Sequence, residues 1–227
     1  MTVSTFYPDA SPEITSVDGE TRGGIYSPVK TWADLIAGAG TTVNDSGPNM
    51  DVRCRAAATT DRWDIMDRVF VLFDTASIPD GDTIDSATLE FVSRTGSLAD
   101  NFSQSLSLVL STPASNTEIV AADHIQRGTV RQAPDITFAS LTVDSATYNV
   151  MTLNATGRGN VSKTGVTKFG LTSANDIDAV SPTWANQNGG SCQLLTADED
   201  VAGDKRPKLV VTHTSPPSTF VPRAIVF

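Results

Sequence analysis

Residues 68–74, Arg68-Val-Phe-Val-Leu-Phe-Asp74, are the stretch of sequence that most strongly determines the fold. The five consecutive apolar residues 69–73 show no alternation between apolar and polar positions, which is typical of a central strand covered on both faces. A shorter apolar run at 209–211 has the same character. We therefore expect these two strands to lie deepest in the protein.

Further strands are predicted from short runs rich in β-branched and aromatic residues, separated by Gly, Asn, Asp, Ser and Pro. In the run 87–92, Ala87, Leu89 and Phe91 fall on one face and the residues between them on the other, as in a half-buried strand. Eight short strands indicate a β-sandwich. They are residues 69–73, 87–92, 106–110, 135–138, 148–153, 166–171, 192–195 and 209–213.

Helical signals are scarce. Residues 31–39 place Trp32 and Leu35 on one face, and Thr31 is a residue type that caps helix N-termini. A second short helix is predicted to begin after Asn154, another capping residue type. Helices are therefore expected to be a minor part of the fold.

The predicted fold is all-β: a jelly-roll-like antiparallel β-sandwich with one or two short helices and a C-terminal extended arm. A chain of 227 residues is compatible with one such domain. Within it, residues 1–66 are predicted to form an N-terminal segment whose short helix packs on the sandwich. Residues 67–213 are predicted to form the sandwich core, and residues 214–227 a Pro-rich apolar arm.

The C-terminal arm differs in composition from the rest of the chain. Ser215-Pro-Pro-Ser218 forms a stiff spacer, and the residues after it are mainly apolar and need a surface that buries them. The arm either folds back onto its own sandwich or docks on a neighbouring subunit, and the sequence leaves both alternatives open. In the docking alternative, the residues predicted to contact sister subunits or a shell are Phe6, Tyr7, Phe220, Val221, Ile225, Val226 and Phe227.

Charge and composition exclude several classes of partner. The net charge of −10 repels phosphate backbones, so no nucleic-acid partner is expected. Residues 1–10 lack the features of a signal peptide, and no apolar stretch is long enough to span a membrane, so synthesis in a cytoplasm without membrane insertion is expected. Cys54 and Cys192 lack metal-ligand spacing, which favours two free thiols, with a bridge between them as the alternative.

Catalysis is not predicted. A Ser-His-Asp set needs a placed histidine, and the chain contains only His124 and His213. Neither has a nucleophile motif nearby, and both are interpreted as structural or surface residues. The protein is therefore expected not to be an enzyme, and no catalytic residue is assigned.

Two acidic clusters carry the hard oxygen ligands that calcium prefers. They are Asp80-Gly-Asp-Thr-Ile-Asp85, and Asp198-Glu-Asp200 together with Asp204. Turn chemistry in the first cluster and a solvated loop in the second are the stronger interpretation, and neither has EF-hand spacing. No metal ligand or cofactor is therefore assigned, although a structural calcium ion at either cluster is an open alternative.

Sugar binding requires an exposed aromatic platform beside hydrogen-bonding side chains. The best match lies in the long polar stretch 172–190, where Trp184 precedes Asn186, Gln187 and Asn188. Trp63 is the next candidate for glycan contact, whereas Trp32 is expected in the core. For Trp184 the alternative interpretation is an aromatic residue that anchors its loop against the sandwich.

Two sets of motifs carry a resemblance to known families. The segments Arg68–Asp74, Ser77-Ile-Pro-Asp-Gly81 and Thr83-Ile-Asp-Ser-Ala-Thr-Leu89, with the closing run Lys205-Arg-Pro-Lys-Leu-Val-Val-Thr212, resemble the signature of DNRLRE-type β-sandwich modules, which are related to carbohydrate-binding modules. The chain is also similar to uncharacterised bacteriophage and viral-metagenome proteins. That second likeness is carried by Phe6-Tyr-Pro-Asp-Ala10, Thr15-Ser-Val-Asp-Gly19, Asn154-Ala-Thr-Gly157 and Lys163-Thr-Gly165.

These resemblances imply a non-enzymatic virion protein on the exterior of a bacteriophage particle. The expected role is a capsid decoration (cement) subunit or a tail-associated host-adhesion subunit. Its expected partners are sister subunits and other virion proteins, with a host-surface glycan in the adhesion role. The alternative function is a carbohydrate-binding module that tethers its carrier to a polysaccharide.

Overall fold

The computed structural model describes residues 1–23, 28–199 and 205–217. Over these residues the chain forms two antiparallel β-sheets that pack as a sandwich, which confirms the all-β prediction. The strands are β1 (Thr2–Phe6), β2 (Asp18–Gly23), β3 (Thr42–Asn44), β4 (Asn49–Ala56), β5 (Trp63–Asp74), β6 (Thr83–Val92), β7 (Ala99–Asp100), β8 (Ser105–Ser111), β9 (Arg127–Arg131), β10 (Ile136–Thr137), β11 (Tyr148–Thr152), β12 (Val166–Ser173), β13 (Gly189–Leu195) and β14 (Lys208–Thr214).

The helices are short. They are α1 (Trp32–Ala37), α2 (Ala155–Gly159) and α3 (Ala174–Ile177), with 3₁₀ helices at Ala121–Ile125 and Phe138–Ser140. Both predicted N-caps are confirmed: the Thr31 hydroxyl accepts from the Asp34 N–H at 3.1 Å, and the Asn154 side chain accepts from the Gly157 N–H at 2.9 Å. Each bond satisfies one of the N–H groups that a helix start leaves free.

The small sheet has the strand order β1-β14-β6-β11. The large sheet runs β10-β8-β12-β5-β4-β13-β7, with β2 also pairing β5 and β3, and β9 pairing β8. The main hydrophobic core lies between the sheets and includes Val71, Leu89, Phe91, Phe169 and Leu209. All eight predicted runs coincide with strands, although residues 135–138 contain only the two-residue β10 before a 3₁₀ turn.

The two strands expected to lie deepest differ in their burial. Every residue of β5 except Asp74 is buried, which confirms the prediction from residues 69–73. In β14, Leu209 and Val211 are buried but Val210 is only half-buried, because none of the described residues forms a second layer over the outer face of the small sheet. The prediction that β14 is covered on both faces was therefore wrong.

The N-terminal segment belongs to the sandwich itself. Residues 1–66 supply β1 to β4 and the start of β5, so the expected boundary at residue 66 falls within a strand. The predicted packing of the short helix is present: Trp32 and Leu35 of α1 contact a second core cluster that contains Trp63. Trp32 and Trp63 meet edge to face, with ring centroids 4.9 Å apart.

Strand β5 changes its partner strand from β4 to β12 near its middle. On one edge it pairs with β4 over residues 63–67 and with β12 over residues 69–74, while β2 covers the other edge over residues 66–71. Arg68 lies at the position where β4 leaves and β12 takes over.

Arg68 ties four parts of the chain together at this point. Its guanidinium donates two hydrogen bonds to the Asp176 carboxylate, from Nε to Oδ2 at 2.8 Å and from Nη2 to Oδ1 at 2.7 Å. It also donates to the carbonyl of His124 at 2.7 Å and to the carbonyl of Ile36 at 2.9 Å. One buried side chain of β5 therefore holds α1, α3 and the first 3₁₀ helix.

The Asp176 carboxylate is satisfied on all sides. Besides Arg68, it accepts from Arg127 Nη2 at 2.6 Å and from the Thr172 hydroxyl at 2.7 Å. Burial acts to raise the pKa of Asp176, but the charges and hydrogen bonds of Arg68 and Arg127 outweigh it and leave the pKa below its usual value. The pair is therefore ionised at neutral pH.

Both cysteines are buried and free, which confirms the favoured prediction of two thiols. Burial raises the pKa of Cys54 to about 12 and that of Cys192 to about 11, so neither is a reactive thiolate at neutral pH. Among the described residues, no helix is long and apolar enough to cross a bilayer.

We expect Arg68→Ala to lower the free energy of unfolding by about 3–5 kcal/mol, because it leaves the buried Asp176 and two carbonyl groups without their main donor. Urea denaturation followed by tryptophan fluorescence measures this change. Arg62→Ala, at a half-buried arginine that donates only to the adjacent Asp61 carbonyl, is the control. A loss below about 1 kcal/mol for Arg68→Ala would contradict the central role of this side chain.

The buried His124 side chain makes the free energy of unfolding depend on pH. Burial, followed by the charge of Arg68, lowers its pKa from 6.5 to about 3, and Nδ1 contacts the Thr21 hydroxyl at 2.8 Å. Between these pKa values the unfolded chain binds a proton that the folded chain does not, so stability decreases as the pH falls. We expect His124→Asn to lose less stability than the wild type between about pH 7 and pH 4 in urea titrations. A stability difference that is constant across this range would show that His124 does not titrate as described.

Candidate functional site

Strand β1 is a free edge of the small sheet. Among the described residues it pairs only with β14, whereas the opposite edge, β11, is capped by Asn149, whose side chain bonds both backbone groups of Thr142. No residue of Thr2–Phe6 is charged, and Val3 is 63% exposed. Free edges of this kind are templates for pairing with another strand, and soluble proteins usually protect them with charge or proline.

The outer face of the small sheet continues this uncharged surface. Cross-strand register places small residues of all four strands on it: Val3, Thr5, Ser86, Thr88, Val150, Thr152, Val210 and Thr212. The charged residues on this face, Lys208 and Glu90, form an ion pair at 3.1 Å, and Lys208 also lies 3.9 Å from the centroid of the Tyr148 ring. We call this face, together with the β1 edge, the sheet surface.

The start of β1 and the end of β14 are neighbours in the small sheet. Because Thr2 pairs with His213, the N-terminus lies beside the end of β14, and Met1 there is 89% exposed. The chain leaves β14 at Thr214, whose hydroxyl donates to the Asp85 carboxylate. After Thr214, the Ser215 side chain bonds to Asp82 and Pro216 lies against Gly81, so the arm leaves the sheet on the β6 side of β14.

A hydrogen-bonded chain on the inner face fixes β1 in place. Ser4 Oγ lies 3.0 Å from His213 Nε2, and His213 Nδ1 lies 2.6 Å from Asp82 Oδ2. His213 and Asp82 are buried. The hydrogen bond from His213 lowers the pKa of Asp82, so its carboxylate is ionised at neutral pH. Ser4 and Asp82 are separated from His213 by 209 and 131 positions in sequence, so no local sequence motif predicts these contacts.

Hydrolases use the same series of contacts, from serine to histidine to aspartate, to activate a serine nucleophile. Hydrolysis also needs a substrate cavity at the nucleophile and donors for the oxyanion. The nearby 450 Å³ cavity is lined by Asp82, Thr83, Ile84, Ala155, Arg158, Gly159, Val161 and Lys163, and Ser4 is not part of the lining. Ser4 itself lies in a regular ladder opposite Val211. The geometry therefore supports a clamp on β1 better than a catalytic site.

The predicted interface residues have different environments. Phe6 is 9% exposed and belongs to the main core, so the structure assigns it to folding, in contrast to the expected subunit contact. Tyr7 is half-buried, with the Arg206 guanidinium 4.4 Å from its ring centroid. The other predicted interface residues, Phe220, Val221, Ile225, Val226 and Phe227, lie outside the described residues.

The predicted glycan residues are only partly accessible. Trp63 is 2% exposed and packs edge to face on Trp32 and Phe102, so it offers no open ring face for a sugar. Trp184 is half-buried against the same cluster, and its indole N–H donates to the Ala57 carbonyl at 3.2 Å. Exposed side chains follow it in the turn at Asn186, Gln187 and Asn188. A glycan contact at Trp184 remains a prediction.

An acidic cluster that the sequence did not reveal lies across β2, β4 and β5. Glu20, Asp51 and Asp67 bring one carboxylate oxygen each to within 4.8 Å of one another. Burial raises the pKa of all three, that of Asp67 to about 7. Arg22 pairs with Glu20, and Arg53 pairs with Asp67 at 2.9 Å. Two arginines thus balance most of the charge of this cluster.

The acidic residues considered as calcium ligands are separated. In the first cluster, Asp82 is used by His213 and Asp85 by Thr214, which matches the structural interpretation. In the second cluster, Asp198 accepts from the Ser11 N–H at 2.7 Å. Asp200 and Asp204 lie outside the described residues.

Comparisons with known proteins give no family assignment. No protein-family model matches the chain, and no curated protein matches it. The function is therefore argued from the geometry of the surfaces described above.

Proposed function

We propose that the protein is a non-enzymatic structural subunit on the exterior of a bacteriophage particle, as a capsid decoration subunit or a tail-associated host-adhesion subunit. The observation that supports this proposal best is the sheet surface, which combines the uncharged edge strand β1 with a face whose charged residues Lys208 and Glu90 are paired, on a chain of net charge −10. The C-terminal arm begins at the end of β14, the strand that pairs with β1, so the arm of one copy can reach the β1 edge of a neighbouring copy.

The charge distribution favours directed assembly. Copies with a net charge of −10 repel one another, so random collisions are unproductive at low ionic strength. Lys208 and Glu90 on the sheet surface neutralise each other, so this surface adds little to the repulsion between copies. Addition of a strand to its edge would supply main-chain hydrogen bonds, and the outward Val and Thr side chains would supply the contact area.

The occupant proposed for the β1 edge is the arm of a neighbouring copy. Ten residues, 218–227, can span up to about 33–36 Å when extended, which is longer than the five-residue β1. The arm carries the apolar residues Phe220, Val221, Ile225, Val226 and Phe227, which match an uncharged edge better than solvent. Arms exchanged in a ring, or onto a shell, would add many weak contacts by multivalency.

The resemblance to DNRLRE-type modules and phage proteins agrees with this proposal, since a β-sandwich of this kind serves as a rigid carrier for surface contacts. The carbohydrate-binding alternative lacks a comparable observation, because the best aromatic candidate, Trp184, is half-buried and uses its indole N–H internally.

We expect removal of residues 218–227 to convert an oligomer of the purified protein into a monomer, because the arm supplies the strand that fills the β1 edge. Multi-angle light scattering of the full-length and truncated chains measures this change, and circular dichroism checks that the sandwich still folds. An oligomer that persists unchanged without the arm would contradict the proposal.

Val3→Lys tests the other side of the same contact, because a lysine on an edge strand disfavours strand addition. Val180→Lys is the matched control, since Val180 is 60% exposed and lies in the loop after α3, outside the sheet surface. We expect the oligomer to dissociate in Val3→Lys and to persist in Val180→Lys. Equal behaviour of the two variants would place the contact elsewhere.

A further inference from the structure

The 450 Å³ cavity beside Asp82 lies between the start of β6 and the segment that contains α2. Asp82, Thr83 and Ile84 form one part of its lining. The other part comes from α2 and the residues after it, which are Ala155, Arg158, Gly159, Val161 and Lys163. The volume lies in the range of about 300–1,000 Å³ that is typical of cavities for small molecules.

Lys163 is fixed at the wall of this cavity. Its ammonium group donates to the carbonyl of Asp82, itself a lining residue, at 2.9 Å, and to the carbonyl of Asp80. A lysine ammonium has three N–H donors, so these two bonds leave one donor and the full positive charge for a ligand.

Arg158 brings a second positive charge to the same lining. The residue is half-buried, and its Nη1 donates to the carbonyl of Leu153 at 3.3 Å. A guanidinium has five N–H donors in a planar fork. Most of the hydrogen-bonding capacity of Arg158 is therefore available to a ligand.

Neither cation has an acidic partner. Among the residues that the structure describes, Arg158 and Lys163 form no ion pair, and the carboxylate of the lining residue Asp82 contacts His213 at 2.6 Å instead. This contrasts with the basic residues that do pair with carboxylates: Arg22, Arg53, Arg55, Arg68, Arg127, Arg131 and Lys208. In a chain of net charge −10, two half-buried cations in one cavity without a counter-charge favour the binding of an anion.

We propose that Arg158 and Lys163 bind a phosphate group in this cavity. A phosphate monoester carries a charge of about −1.5 to −2 at neutral pH, which matches two cations, and its oxygens accept several hydrogen bonds. An arginine fork and a lysine point charge are both common phosphate-binding groups. The cavity is larger than a phosphate ion, and Ile84, Ala155 and Val161 give it apolar lining, so the organic part of a phosphate ester also fits.

This binding site is distinct from the proposed assembly contact. None of the residues that line the cavity belongs to the sheet surface. A ligand can therefore bind while the β1 edge is paired, and the failure of either proposal leaves the other intact.

The test is isothermal titration of sodium phosphate, glucose 6-phosphate and glucose into the full-length protein in a phosphate-free buffer, in parallel with thermal unfolding. We expect both phosphates to bind with a Kd below about 10 mM and to raise the Tm, and we expect glucose to do neither. Tighter binding of glucose 6-phosphate than of inorganic phosphate would identify the ligand as an ester. Equal or weaker binding of glucose 6-phosphate would identify it as the free ion.

Arg158→Gln and Lys163→Gln each remove one positive charge from the cavity. We expect each to weaken phosphate binding by about 10-fold, because each loses a charge-assisted hydrogen bond. Arg62→Gln is the matched control, since Arg62 is also half-buried and without an ion pair among the described residues, but lies outside the cavity. We expect Arg62→Gln to keep the affinity of the wild type.

Gly159→Leu tests the cavity without a change of charge. A Cβ at Gly159 would meet no atom within 4 Å, so a leucine can occupy space in the cavity while the fold, checked by circular dichroism, is retained. Thr156→Leu, at an exposed position of α2 outside the lining, is the control. We expect only Gly159→Leu to abolish phosphate binding. The proposal would be overturned by absence of phosphate binding to the wild type up to about 10 mM, by unchanged binding in Gly159→Leu, or by an equal loss in Arg62→Gln.

Discussion

The buried ion pair between Arg68 and Asp176 is the constraint on which the arrangement of the large sheet depends. β5 changes partner from β4 to β12 at Arg68. The Arg68 guanidinium donates hydrogen bonds to the carbonyls of Ile36 and His124 and to the Asp176 carboxylate. Buried arginine is expensive unless each donor is used, so this position fixes α1, α3 and a 3₁₀ helix in one arrangement. Trp32 and Leu35 of α1 pack on Trp63 and Met66 of β5, and Val17 and Ile119 pack on Phe70 and Leu72, so this strand is buried on both sides.

The two sheets therefore differ in how much of their surface is open to other molecules. The large sheet is wrapped by helices and loops, whereas within residues 1–23, 28–199 and 205–217 no layer lies on the outer face of the small sheet and β1 pairs only with β14. The Ser4-His213-Asp82 chain holds this edge strand against β14. In our account the wrapped sheet provides stability and the open sheet provides assembly.

Sequence patterns predicted the parts of the fold that rest on apolar side chains. β5, β6, β8 and β12 follow from their hydrophobic runs, and α1 follows from Trp32, Leu35 and its Thr31 cap. The polar strand β2, Asp-Gly-Glu-Thr-Arg-Gly, was missed because it has no apolar pattern; its buried Glu20 accepts hydrogen bonds from Arg22, Asn44 and the Asp51 N–H. The His213 chain joins residues that only the tertiary fold brings together, so no spacing rule could find it.

Hydrogen–deuterium exchange of the full-length protein at low and high concentration tests the central claim most directly, because it reports on the backbone of β1 itself. Backbone amides on a free edge exchange rapidly, and they become protected when another strand pairs with them. The account predicts that amides of residues 2–6 become at least about 10-fold more protected between about 1 μM and 100 μM protein, while those of β11 stay unchanged. Equal exchange of residues 2–6 at both concentrations, in a protein that nevertheless oligomerises, would contradict it.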